Sequence, residues 1–347
     1  MASTLYEYNG SSWKLMYPYA NVDGTNWKIC DFYVNVSSTW KPIYLNYALF
    51  GGGGYSGSTY SYTAQYFYTT SSVVTGTSLT YAVYDPAAAG NTMIGIFGGG
   101  TRNYDGSYPI TYTNKYTYGD NSLAAGTVLY NAGYGSSAAG NATQAIFGTT
   151  FYVGQGSASK GSKYVYSGDT VTQLSTSTPP TQSNVLYGAT GNSTRGVFAG
   201  GTDYALSYAY NSFNLYLYSN DSNTTESVYL SNSVYALSAT SSPTIGYFMG
   251  GADMSNNCYS SSRKYTYSSD TATNGSYLYN YDPRAGQGAA GNPAIGVFSG
   301  GFYDSSTTPA LTTNIYTYSN DTCALGTNLN YYSYGIAATS TQPGGFN

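Results

Sequence analysis

Histidine is absent from the 347 residues, and charged side chains make up only 7% of them. The first absence removes imidazole acid–base catalysis, Ser-His-Asp triads and histidine metal sites. The second lies far below the roughly 25% usual for soluble globular domains. Eleven basic residues are scattered through a chain of net charge −4, so there is no electrostatic footprint for nucleic acid. No apolar run is long enough to span a bilayer, and Met1–Glu7 lacks the basic and apolar regions of a signal peptide. The three cysteines, Cys30, Cys258 and Cys323, lie far apart without metal spacing and read as free thiols. Glutamate is confined to Glu7 and Glu226, and no isolated carboxylate pair stands out for glycoside hydrolysis. The expectation is a non-enzyme without cofactor or metal.

What is abundant is tyrosine (45 residues) and glycine (43). An aromatic content of 17% argues against the disorder that low charge could suggest. One phrase recurs through the chain, centred on Phe50, Phe97, Phe147, Phe198, Phe248 and Phe298, and it usually continues into Gly-Gly. A period near fifty residues means one supersecondary unit repeated. About twenty residues after each Phe comes an aromatic pair such as Tyr66/Tyr68, Tyr116/Tyr118 and Tyr316/Tyr318. Alternate strand residues share a face, so each pair builds an aromatic wall against one neighbouring sheet.

Asp120, Asp169, Asp221, Asp270 and Asp321 follow the pairs. Regular carboxylates could mark calcium, but closure of a turn onto its own backbone is the preferred reading. Gly-Thr/Ser-x-Leu, as at Gly76–Leu79 and Gly126–Leu129, is read as the start of a third strand, and a small apolar segment such as Ala87–Asn91 as a fourth. Four short strands make one propeller blade. The third and fourth copies depart from the pattern at Thr149-Thr150 and at Glu226–Leu230, and either distortion or different loops are expected there.

The run from Ala337 to Phe346 aligns without gaps to Ala289–Phe298, as though a seventh copy were beginning. Pairing this last small-residue strand with the first glycine strand, 46–53, would close a ring and remove two sheet edges. Residues 1–45 carry a different repeat, Trp13-Lys14, Trp27-Lys28 and Trp40-Lys41, each after turn residues. It reads as a small antiparallel β-meander. It is either a seventh blade or an attachment module, the latter preferred because its motifs differ from those of the blades. The expected organisation is all-β: a meander over 1–45, then a six-bladed propeller over 46–347.

The Phe-x-Gly-Gly strand and the Tyr-bearing strand after it resemble kelch repeats, although no Trp occupies the fourth strand. The phrases Gly191–Gly201 and Tyr316–Thr322 look more like kelch-like repeats of tailed-phage structural proteins, cyanophage tail proteins among them. The Trp40-Lys41 phrase is similar to repeats of phage tail fibres and tail tips. The resemblance implies a distal tail component, a fibre or receptor-binding protein, located in the virion tail and assembled in the bacterial cytoplasm. Its partners would be other tail proteins, through Trp13, Trp27 and Trp40, and a host-surface polysaccharide or protein. A homotrimer is a further family implication.

Loops on a rigid scaffold are where binding residues collect. Those after the glycine strands carry Tyr55, Tyr104, Asp105, Asp203, Tyr204, Asp253, Tyr303 and Asp304, the candidate ligand-binding residues. Tyrosine gives contact area at low entropy cost, which suits a glycan or a protein epitope. A non-catalytic adhesin is the expectation, and a purely structural baseplate, collar or fibre subunit the alternative. The Tyr-Asp-Pro motifs at Tyr84 and Tyr281 are read as turn chemistry.

Overall fold

The computed structural model describes residues 46–151, 160–174, 179–180, 184–303 and 308–341. Before residue 46 it describes the backbone of six short strands. Cys30, Asp304 and the 342–346 part of the C-terminal alignment lie outside the described residues.

Six antiparallel sheets follow one another as the blades of a propeller, each with four strands in sequence and the sixth with an added short strand, Thr308–Pro309, on its second. In the second blade the order from the axis outward is Ala87–Gly90, Ile94–Gly98, Thr113–Thr117 and Ser122–Gly126. The first blade is completed from the far end of the chain. Ala337–Ser340 pairs antiparallel with Tyr47–Gly51, Ala338 opposite Phe50, so the ring closes as the sequence suggested. One expectation is corrected: Gly-Thr-x-Leu does not begin a strand. The outer strand is already ending at Gly126, and the motif is a loop that returns Leu129 to the interior. The third and fourth blades keep all four strands, and the fourth has an outer strand extended to Ser222–Tyr229 with a bulge opposite.

The core is six wedges, one between each pair of blades. Phe97, Tyr116 and Tyr118 of the second blade pack on Tyr47 and Leu49 of the first, and Phe50, Tyr66 and Tyr68 of the first pack on Val297 and Ala290 of the sixth. Each Phe and its tyrosine pair thus face the preceding blade, and the interposed Phe67 packs on the following one. Glycine is required beneath the second tyrosine: a Cβ on Gly95 would lie 2.6 Å from the Tyr118 hydroxyl.

Four of the recurrent aspartates do more than close a turn. Asp120 behaves as expected, accepting from the Ser122 amide. Asp169, Asp221, Asp270 and Asp321 stand one position later relative to the tyrosines, with φ near +50°. Each accepts from the tyrosine five residues before it and from a cation of the preceding blade. The pairs are Lys115–Asp169 at 2.8 Å, Lys163–Asp221 at 2.8 Å, Arg195–Asp270 at 2.6 Å and Lys264–Asp321. Gln65 and Asn121 make a neutral version between the first two blades. At the closing interface the corresponding positions are Ile315 and Ser71.

Burial works to raise the Asp169 carboxyl, but hydrogen bonds from Lys115, Tyr164 and the Thr127 amide outweigh it and hold the group at about 2. A carboxyl lowered on folding stabilises above its unfolded value near 3.8, and that contribution is lost as pH falls through about 2. The latch is half-exposed, so Asp169→Asn is expected to cost only about 1 kcal/mol at pH 7. Urea titrations of both proteins should converge as the pH approaches 2.

The described strands before residue 46 form three separate two-stranded hairpins: Tyr6–Tyr8 with Trp13–Leu15, Tyr19–Asn21 with Trp27–Ile29, and Tyr33–Val36 with Thr39–Pro42. Each contains one Trp-Lys pair. Among the described residues no strand pairing joins one hairpin to the next.

Candidate functional site: the mouth of the axial channel

Six inner strands converge on the axis, which is why they are built of Ala, Gly, Ser and Thr. They line a narrow channel of about 90 Å³. At the start of each inner strand, up to three positions before it or, for Gly286, just within it, one residue adopts a left-handed conformation: Asp85 (φ 53°), Gly135 (68°), Leu186 (56°), Ala236 (51°), Gly286 (67°) and Gly335 (59°). Side chains rarely accept this region, so Asp85, Leu186 and Ala236 are held there by their surroundings.

The holding interaction is a circle of main-chain hydrogen bonds. The amide of Leu186 donates to the Gly135 carbonyl (2.5 Å), Ala236 to Leu186 (2.6 Å), Gly286 to Ala236 (2.7 Å), Gly335 to Gly286 (3.0 Å) and Asp85 to Gly335 (2.9 Å). The sixth position differs: no main-chain bond is made there, and the Gly135 amide instead faces the carboxylate of Asp85 and favours its charged form. Five of the six blade-to-blade junctions at the channel mouth are therefore closed by main-chain hydrogen bonds.

Outside this circle lies a chamber of about 230 Å³ lined by Tyr84, Asp85, Leu186, Tyr235, Phe302 and Tyr334, with Asn256 at its side. Its walls are ring packing. Tyr334 meets Tyr84 at 5.8 Å, Tyr104 at 5.6 Å and Phe302 at 5.3 Å between centroids, and Tyr84 meets Tyr104 at 5.0 Å. Beyond the chamber's own lining, Phe151 packs on Tyr134 at 5.0 Å and stacks on Tyr204 at 4.6 Å. The Tyr235 hydroxyl donates to Asn256 Oδ1 at 2.5 Å. Burial pushes the Tyr84 hydroxyl well above its ordinary range, and burial with the nearby Asp85 and Tyr204 pushes Tyr134 to about 12. Both stay neutral hydrogen-bonding groups. Burial also pushes the Asp85 carboxyl up to about 7, the Gly135 amide opposing it.

Strands alternate in direction, so the Gly-Gly loops, the entries to the third strands and the exits from the outer strands share one end of the ring with this mouth. Exposed tyrosines gather there: Tyr108, Tyr112, Tyr130, Tyr208, Tyr281 and Tyr332 among them. Among the described residues no tyrosine is exposed on the opposite end, where Asn91, Asn141 and Asn192 close turns and donate to the next blade.

The candidate residues named from sequence separate by chemistry. Tyr104 and Tyr204 join the aromatic mouth. Tyr55 is exposed on a small hairpin, Gly54–Tyr55 with Ser58–Thr59. Asp105, Asp203 and Asp253 are engaged within their own loops, accepting from the amides of Ser107, Ser207 and Asn257. Hydrogen bonds from Ser107 hold Asp105 below the usual carboxylate range. Tyr303 leaves its strand on the face opposite Phe302, over buried Arg284 at 5.8 Å. Asp304 and the side chains of Trp13, Trp27 and Trp40 lie outside the described residues.

The sequence reading missed Tyr134, Tyr235 and Tyr334, and it assigned Tyr84 and Asp85 to turn chemistry. A signal was present, since a tyrosine precedes the left-handed residue in four of six repeats. The two Tyr-Asp-Pro motifs are not equivalent. Asp85 occupies the axial circle, whereas Asp282 forms an ion pair with Arg284 at 2.7 Å beside a short 3-10 turn. Among the described residues no group of three or more His, Cys, Asp or Glu is placed to hold a metal. Comparison with family models and with curated proteins gives no match.

Proposed function

We propose that the chain is a non-catalytic adhesin that recognises a glycan or protein on a bacterial cell surface through the tyrosine-rich end of the propeller. The finer reading, a kelch-like tail-fibre or tail-tip protein of a tailed phage, follows from the sequence resemblance and from the Trp-Lys segment as the attachment to other tail proteins. The observation that carries the binding role is the asymmetry of the ring: exposed tyrosines and the aromatic chamber share one end, and the other end is closed by asparagine turns. Tyrosine presents an apolar ring with a polar tip, which suits a sugar face as well as a protein epitope.

The purified full chain is expected to bind cells of the phage host and to compete with phage adsorption. Tyr104→Ala, at the rim of the chamber, should weaken adsorption about tenfold or more, as for a binding hot spot. Thr70→Ala, exposed on the opposite end, should leave it unchanged. Absence of cell binding by a chain that is firmly incorporated in particles would remove the adhesin role and leave a structural tail subunit.

A further inference from the structure

We propose that the chamber outside the axial circle binds a small ligand through a primary ammonium group, with the Asp85 carboxylate as its partner. The space is adequate. A cavity of about 150 Å³ accommodates benzene, so about 230 Å³ admits roughly nine non-hydrogen atoms by the same ratio.

The polar requirement is specific. Asp85 Oδ2 is buried and has no hydrogen-bond partner, while the Gly135 amide faces the carboxylate from the circle. No lysine or arginine lines the chamber or the channel beneath it. A buried carboxylate without a partner is costly, which is why this one is driven toward its neutral form. An ammonium supplies both the missing charge and up to three N–H donors. A metal ion is a poorer fit, because one carboxylate falls short of the six or more oxygen ligands calcium takes.

The walls favour the same ligand. Tyr84, Tyr235, Tyr334 and Phe302 present aromatic surface around the carboxylate, and aromatic faces attract a desolvated cation. The expected ligand places its ammonium against Asp85 and a ring or short alkyl body between the tyrosines. A free amino sugar and an alkyl polyamine share this chemistry, and they are told apart by titrating glucosamine and cadaverine separately.

The test is calorimetric titration of the full chain at pH 8 with cyclohexylammonium, neutral cyclohexanol and tetramethylammonium. Asp85→Asn keeps the shape, and Asp85→Gly copies the residue that three other blades carry in the circle, so both should fold. Binding of cyclohexylammonium by the native protein, weakened about thirtyfold or more in both variants, is the expected result. Equal affinity in the variants, no binding by the native protein, or tetramethylammonium binding as tightly as cyclohexylammonium would each overturn the assignment. The assignment does not depend on adhesion. Amine binding without cell adsorption would keep it and remove the adhesin reading, and adsorption without amine binding would do the reverse.

Discussion

Thr339→Pro is expected to lower the free energy of unfolding by at least about 3 kcal/mol. Thr339 lies in the closing strand opposite Leu49, and it is completely buried. The Thr341 amide donates to the Tyr47 carbonyl at 3.2 Å. Antiparallel pairs alternate between bonded and non-bonded, which places the Thr339 amide on the Leu49 carbonyl. Proline removes that donor in the middle of the ladder and leaves a buried acceptor unpaired. It also removes the hydroxyl that meets the Tyr118 hydroxyl at 3.0 Å, the link from the closing blade to the second. Thr339→Val, which loses only the hydroxyl, should cost about 1–3 kcal/mol. Guanidinium titrations followed by circular dichroism measure both. A proline variant as stable as the valine variant would mean that the seam does not hold the ring shut.

Asp85→Asn is expected to stabilise the protein, and by more as the pH rises. The carboxyl has a folded value of about 7 against about 3.8 unfolded. A carboxyl raised on folding gives its full contribution below the unfolded value, and that contribution is lost as pH climbs through the folded value. Between pH 5 and pH 8 the native protein should lose about 3 kcal/mol from this group alone. The neighbours do not confuse the window. Tyr84 and Tyr134 remain neutral throughout, and Asp105 is held low and remains ionised. Asparagine accepts the left-handed conformation well and can still accept from the Gly135 amide. Its advantage over aspartate should therefore be less than half as large at pH 5 as at pH 8, where it is worth several degrees in melting temperature. A constant difference across this range would show that Asp85 is ionised throughout.

The fold was legible in the sequence because its information is periodic. Phe97 and the Tyr116/Tyr118 pair announce a wedge, and the wedge recurs until the last small-residue strand finds Tyr47–Gly51. The latches were half-legible. Lys115, Lys163 and Lys264 repeat in register, but their partners lie in the following blade, and only the ring geometry brings each to its aspartate. The mouth was hardest to read. Its six defining residues are Asp, Gly, Leu, Ala, Gly and Gly, so they share a backbone conformation and no residue type. Asp105, Asp203 and Asp253 stood out in the loops as candidate ligands, yet a short carboxylate in a loop readily captures nearby amides, as all three do.

The axial circle of hydrogen bonds has a consequence for how such a protein changes over generations. Five of its links are made wholly of main-chain atoms, so exchanging the side chain at a link does not delete it. The tyrosines and the variable loops stand directly on that circle. A lineage can therefore rewrite what the mouth presents to its surroundings, one aromatic at a time, while the opening keeps its diameter and its six-fold frame. Inherited geometry and adaptable chemistry are carried by different atoms of the same residues.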